Sequence, residues 1–299
     1  MVYKERTESI VIRIIKLLQR RNELKEKQYC SNLIKGYEGE VLFDSYTKKL
    51  ECECFVINDL LLQYNNTTFQ IDTLVITPDK LYIFEVKNYE GDYYFESDIL
   101  YKKPKKEVSN PLNQLHRSES LLRQLLQSYG FTIPIQAYVV FVNPAFTLYQ
   151  APLTKPIIFP TQLHAFFQNL NKSTAKLNKK HKVLADKLVS LHVEESPYRT
   201  LPKYKYSDLR KGICCVNCGS FSVNVVGRKC ICQNCGKEEM VVDAVKRSTD
   251  ELKMLFPELK ITTNIIHDWC KVVESKRRIG RILDKFYHKN GLHQWTYYD

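Results

Sequence analysis

Glycine and proline are scarce in this chain, 10 and 11 among 299 residues. That excludes collagen-like and low-complexity classes. No run of eighteen apolar residues occurs: the best candidate, Ile10-Val11-Ile12 then Ile14-Ile15, is interrupted by Arg13 and followed by Lys16, Arg20 and Arg21. Neither a membrane span nor a secretory signal is therefore expected. No glycine-rich phosphate loop is present, which leaves no case for a nucleotide cofactor. His116, His164 and His267 share no spacing that makes a site. What is there, 44% hydrophobic and 26% charged residues, is an ordinary globular composition, and the length suggests about two domains of ~150 residues.

Lysine and arginine number 45 against 33 acidic residues, a formal charge of +12. Such an excess points to a polyanionic partner or an acidic surface. Residues 200–299 hold 18 basic and 11 acidic side chains, so the last third is the more basic per residue. Without an export signal the ten cysteines belong in the reducing cytoplasm, where clustered cysteines read as metal ligands.

Periodicity predicts amphipathic helices over 7–28 and 36–50, both expected to pack on a sheet. Strands follow over 54–62, 68–77, 81–87 and 92–101, rich in Val, Ile, Phe and Tyr. Asn110-Pro111 reads as N-cap and first residue of a helix to about 128, with Leu112, Leu115, Leu122 and Leu126 inward. Residues 135–142 are a short apolar run, as in a strand buried on both faces. This order indicates an α/β domain with a mixed sheet. A Lys-rich helix over 173–192 is expected to cover it, and residues 193–212 to form a linker.

Thr77-Pro78-Asp79-Lys80 has proline where a tight reversal wants it, so 69–77 and 80–87 form a hairpin. If Thr77 faces Lys80, then Ile76 pairs with Leu81, Leu74 with Ile83 and Asp72 with Glu85. Two facing carboxylates destabilise a sheet unless a cation joins them. Lys87 shares the face of Glu85. An acid pair and a lysine suit phosphodiester hydrolysis assisted by Mg²⁺ or Mn²⁺, in which the ion polarises the phosphate and lowers the pKa of a bound water. A bulge would shift this register, and on the hairpin alone an ordinary salt bridge on a sheet face fits as well.

Four motifs in order, Gly36-Tyr37-Glu38-Gly39-Glu40, Gln70-Ile71-Asp72, Phe84-Glu85-Val86-Lys87-Asn88 and Asn110-Pro111-Leu112-Asn113-Gln114, make residues 34–145 resemble the nuclease-related domain family. That family is similar to the PD-(D/E)xK restriction-endonuclease-like nucleases. The resemblance implies a mixed sheet flanked by helices, with Asp72 and Glu85 as metal ligands, Lys87 as the catalytic lysine and Glu40 as a helix-borne carboxylate completing the metal site. Gln114 matches the family's glutamine after the Asn-Pro helix start, positioning water or phosphate. Ile71-Asp72 stands where the wider family has Pro-Asp.

Cys215-x2-Cys218-Gly219 and Cys232-x2-Cys235-Gly236 are two knuckles of the kind that close a tetrahedral Zn²⁺ site with four thiolates. They look like a zinc ribbon, with 221–226 as one strand and a structural metal. Cys214 and Cys230 flank the knuckles as substitutes or spares, while Cys30, Cys52, Cys54 and Cys270 read as packing residues.

Beyond residue 248 three short helices are expected, over 249–256, 262–271 and 275–288. The last has Ile279, Ile282, Leu283 and Phe286 inward and Arg277, Arg281, Lys285 and His288 on another face, with Arg278 beside them. The pattern resembles a helix-turn-helix, of the winged kind if 293–298 is the following strand, in which Arg277, Arg278, Arg281 and Lys285 contact DNA. An ordinary solvated face explains the stripe as well.

The resulting organisation is an N-terminal helix (1–35), a nuclease-related domain (36–192), a linker (193–212), a zinc ribbon (213–243) and a helical domain (244–299). The expected function is a cytoplasmic, metal-dependent deoxyribonuclease with DNA as partner and no membrane. The rival readings are a catalytically inactive, DNA-bound regulator with a nuclease fold, and a protein-interaction scaffold.

Overall fold

The computed structural model describes residues 1–21, 27–194, 201–292 and 295–299. The first elements are β1 (Val2–Lys4), α1 (Ile10–Arg21), α2 (Lys27–Thr47), β2 (Phe55–Tyr64), β3 (Thr67–Ile76), β4 (Leu81–Lys87), β5 (Gly91–Glu96), β6 (Ile99–Lys102) and β7 (Lys106–Val108). Next come α3 (Pro111–Ser128), β8 (Ile135–Phe141), β9 (Phe146–Tyr149), β10 (Ile157–Ile158), α4 (Leu163–Asn171) and α5 (Lys179–Ser190). The remainder holds β11 (Val223–Val226), β12 (Lys229–Cys232), β13 (Glu238–Met240), α6 (Val241–Leu255), α7 (Thr263–Cys270), α8 (Lys276–Phe286), β14 (Lys289–Asn290) and β15 (Tyr297–Tyr298). They form two units, Met1–Glu8 with Gln28–Arg199 and Ser9–Lys27 with Thr200–Asp299. None of the described helices is long and apolar enough to cross a membrane.

The first unit is built on a six-stranded mixed sheet in the order β1-β2-β3-β4-β8-β10. Strands β2, β3 and β4 are antiparallel neighbours, whereas β8 runs parallel to both β4 and β10. One face buries Leu74, Ile76, Leu81 and Ile83 against leucines of α3 and α5, and the other buries Val75, Phe84 and Val86 against Phe43 of α2 and Phe167 of α4. A second sheet, β7-β6-β5-β9, adds Tyr93, Phe95, Leu100 and Phe146 to the first face. Helix α3 starts as its sequence dictates: Asn110 accepts the Leu112 amide, and Pro111 occupies the first turn, where no amide is needed.

Several expectations are corrected. Residues 92–101 form two strands rather than one, because Ser97 and Asp98 adopt φ +50 and +64 and reverse the chain. The second helix begins at Lys27, nine residues early. The helix expected over 173–192 starts only at Lys179, where Asn178 caps it. Helix α1, expected to pack on the sheet, belongs instead to the second unit, where the buried Arg21 pairs with Glu251 at 2.8 Å and lies 3.9 Å over the ring of Trp269. An amphipathic pattern specifies an apolar face and says nothing about which surface covers it.

In the second unit β11-β12-β13 form a small antiparallel sheet, and α6 follows immediately, beginning at Val241 rather than near 249. Buried Val245, Leu252, Ile266, Trp269, Ile279 and Leu283 make the helical core. Part of the expected linker is packed: the Tyr204 hydroxyl donates to the Leu255 carbonyl and the Tyr206 hydroxyl to Asp268. Residues 195–200 of that expected linker lie outside the described residues. Of the strand expected over 293–298, residues 293 and 294 also lie outside them, and Tyr297–Tyr298 pairs with β14.

Candidate active site

The Thr77–Lys80 turn fixes the site. The Thr77 amide donates to the Lys80 carbonyl at 3.0 Å and the Thr77 hydroxyl to the same oxygen at 2.9 Å, setting Ile76 opposite Leu81 and Leu74 opposite Ile83. The ladder then stops at Thr73–Phe84, one step before Asp72 and Glu85. On β3, Phe69 and Ile71 face the same cluster as Leu74 and Ile76, so the alternation slips by one at Asp72. Strand β2 slips at the same level, where Asp59 takes φ +52. Asp72 and Glu85 are thus opposed by register, as counted from the turn, but they are not a laddered pair.

That opening frees the Asp72 carboxylate to accept the Val86 amide at 2.8 Å. Lys87 donates to Glu85 at 2.6 Å and to the Gln114 side chain at 3.2 Å. Glu40 approaches from α2. Its neighbour Gly39 is why the helix comes so close: a Cβ there would lie 2.5 Å from the Asn88 Cβ and 3.3 Å from Val142. Asn88 in turn donates to the Lys35 carbonyl at 2.8 Å and accepts from Asn143 at 3.0 Å, pinning the helix to the end of β4. We expect Gly39→Ala to cost about 1–3 kcal/mol by overpacking. Gly36→Ala, whose Cβ meets nothing within 4 Å, should instead gain up to about 1 kcal/mol of helix propensity. Urea unfolding of both variants checks the contrast, and equal effects would contradict it.

Arg6 is a partner that sequence reasoning missed. Just beyond β1, its guanidinium donates to Glu40 at 2.5 Å, to Asp44 at 2.9 and 3.2 Å, to the Asp72 carbonyl at 2.7 Å and to the Thr73 hydroxyl at 3.3 Å. Its side chain is only 3% exposed. No local pattern marks it, since its partners lie 34 to 67 residues away.

Burial raises all three acids. Burial first and the Asp72 charge second push Glu40 and Glu85 up to about 8, and Asp72 itself is raised by burial. Burial opposes the charge on Lys87, yet Glu85 and Asp72 raise its pKa, and Asp44 and Glu40 do the same for Arg6. Raised carboxyl values mean that the folded chain binds these protons more tightly than the unfolded chain, whose carboxylates titrate near 4.5. The resulting stabilisation is complete below pH 4.5 and lost as pH rises through about 8. Melting temperature without added Mg²⁺ or Mn²⁺ should therefore fall from pH 5 to pH 8, and the fall should be shallower in Glu40→Gln. A wild-type profile that rises over this range would contradict the assignment.

The oxygen donors of Asp72, Glu85 and Glu40 suit a hard divalent ion. Among the described residues they do not gather within 4.8 Å of one another as the four cysteines do. Glu40 is drawn toward Arg6 and Glu85 toward Lys87. These groups open on a cleft of about 860 Å³ whose walls include Lys35, Lys102, Lys106 and Tyr89. A half-buried lysine between a carboxylate and an amide, at the mouth of a lysine-walled cleft, is an arrangement for handling phosphate.

Over residues 35–142 the chain matches the family model of the nuclease-related domain (NERD). The matched segment contains Glu40, Asp72, Glu85, Lys87 and Gln114, while Arg6 lies outside it. No curated protein and no solved structure matches the chain significantly.

Elsewhere, Cys215, Cys218, Cys232 and Cys235 place their sulfurs within 4.8 Å of one another, with Cys215–Cys235 and Cys218–Cys232 each at 3.6 Å. The four can hold a metal ion. Cys214 and Cys230 are buried outside the cluster. Arg277, Arg278 and Arg281 line one groove, whereas the Lys285 ammonium sits 5.0 Å from the Phe286 ring centre and does not line it.

Proposed function

We propose that this protein is a divalent-metal-dependent deoxyribonuclease with a restriction-endonuclease-like catalytic domain, acting in the cytoplasm. The observation that carries the reading is the Lys87–Glu85 contact of 2.6 Å beside buried Asp72, in a cleft of about 860 Å³ lined by further lysines. Asp72 and Glu85, with Glu40, would hold Mg²⁺ or Mn²⁺, which supplies Lewis acidity toward phosphate and water. Lys87 brings an ammonium to the phosphate, where it stabilises the charge that develops on the oxygens during attack. Gln114 holds that ammonium from the α3 side. Arg6 pairs with Glu40 and Asp44 and fixes the position of the Glu40 side chain beside Asp72.

Incubating the full chain with single-stranded, duplex and branched DNA tests the proposal. Cleavage in Mg²⁺ or Mn²⁺, none in EDTA, and loss in Lys87→Met are expected; no cleavage of any substrate in either metal would overturn it.

The four cysteines are proposed to hold a structural Zn²⁺, because a closed thiolate set leaves no position for substrate. Cys232→Ser should release the metal and unfold the ribbon, and a chelator should do likewise, since the metal's binding energy is folding energy in such small modules. Metal analysis of the purified protein, together with near-ultraviolet dichroism, reads both. A ribbon that keeps its fold without metal would contradict the assignment.

A further inference from the structure

We propose that the ribbon and α8 together form a second DNA site, a phosphate-binding groove separate from the cleft where cleavage is placed. The groove measures about 410 Å³, and its walls are Arg228, Arg277, Arg278 and Arg281 around Met240 and Val242. Arg228 comes from the tight turn between β11 and β12, where Gly227 has φ +58 and Val226 pairs with Lys229. The other three occupy the first half of α8. Two elements that are distant in sequence thus aim four guanidinium groups at one concavity.

The charges around it show what the groove is for. Three neighbouring cations of this unit are matched: Lys229 with Glu238 at 2.5 Å, Arg247 with Glu239 at 2.7 Å, Lys246 with Asp250 at 2.8 Å. Among the described residues, none of the four groove arginines pairs with a carboxylate. Helix α8 also begins Lys276-Arg277-Arg278 with no acid in its first turn, which sets cations against the positive end of the helix dipole. Folding alone gains nothing from that arrangement. A ligand carrying closely spaced negative charges relieves it, and arginine forks match phosphate oxygens in pairs.

The occupant is a nucleic-acid backbone rather than base edges. Ile279, Ile282 and Leu283 bury the opposite face of α8, and Lys285, one turn beyond Arg281, lies outside the groove. Guanidinium groups shared between a hairpin turn and a helix start, with no amide or carboxylate side chain among them to read a base, suit phosphate oxygens, which position a nucleic acid without carrying its sequence. The geometry therefore assigns sequence-independent binding and gives the ribbon a share in it through Arg228. The choice of DNA as the polymer rests on the nuclease reading, but the groove itself does not.

Anisotropy of a labelled duplex of about 30 base pairs, titrated with the full chain at 50–200 mM salt with Ca²⁺ in place of Mg²⁺ or Mn²⁺ and no chelator, measures this site while the ribbon keeps its metal. Arg228→Ala should weaken binding about eightfold at 0.1 M salt and lower the salt slope by about one. Arg277→Ala/Arg281→Ala should lower the slope by about two, and Lys285→Ala should leave both readouts unchanged. Arg228→Lys, which retains the charge, should restore most of the slope, separating lost charge from a misfolded ribbon. Wild-type affinity and slope in Arg228→Ala, or an equal loss in Lys285→Ala, would overturn the proposal. A chain that fails to cut DNA yet shows this pattern would refute the nuclease and leave the groove standing.

Discussion

Asp72→Ala and Glu85→Ala are each expected to lower metal-dependent DNA cleavage by at least about 10²–10³-fold, the range seen when one electrostatic contact to a reacting centre is removed. The two variants should differ in stability. Asp72 carries the Val86 amide at the point where the ladder opens, so its removal orphans a buried donor at a cost of about 1–3 kcal/mol. Glu85 accepts only from Lys87, which keeps Gln114 as a second acceptor. Glu85→Gln, which preserves volume, is therefore the cleaner variant, with near-native melting expected alongside lost cleavage. Calorimetry in parallel with a cleavage time course separates the two effects. Cleavage by both alanine variants at the wild-type rate would remove these carboxylates from the chemistry.

Arg6→Ala is expected to cost about 3–5 kcal/mol, the penalty typical of leaving buried charges without their partner. The size follows from what Arg6 serves: two carboxylates, a carbonyl and a hydroxyl at once, at a nearly solvent-free position. Arg6→Lys should recover only part, because an ammonium cannot span Glu40 and Asp44 as a planar fork does. Asp44→Asn in the Arg6→Ala background should return some of the loss, since it removes one of the stranded charges, and the double-mutant cycle gives the coupling. Denaturant unfolding in EDTA is the measurement. A change below about 1 kcal/mol, the size of a surface ion pair, would show that the contact adds little.

What the sequence made legible was local. The Thr77–Lys80 turn, the Asn110 cap and the two cysteine knuckles each place their residues within a few positions, and the structure has them as read. Counting from the turn also opposed Asp72 and Glu85. What counting missed is the slip in alternation at Asp59 and Asp72, because a strand read at period two has no mark for where its ladder opens. The Ser97–Asp98 reversal escaped because it uses no glycine; the early start of α2 was legible, since Cys30, Leu33, Ile34 and Tyr37 fall at helical spacing, and a stripe counted only from Gly36 passes over it. Arg6 and the partner surface of α1 depend on residues far along the chain, which no window of periodicity contains.

The path of the chain bears on how this protein is taken apart. Its first eight residues fold with the sheet, the following helix folds with the unit that holds the four-cysteine cluster, and the chain then returns to the sheet at Gln28. A fragment trimmed to the family boundaries, 35–142, would lose β1, most of the first turns of α2 and the guanidinium that neutralises Glu40 and Asp44. It would also lose β9, β10, α4 and α5, which cover the two faces of the sheet, so silence from such a fragment would report missing parts of the fold rather than the absence of an active site.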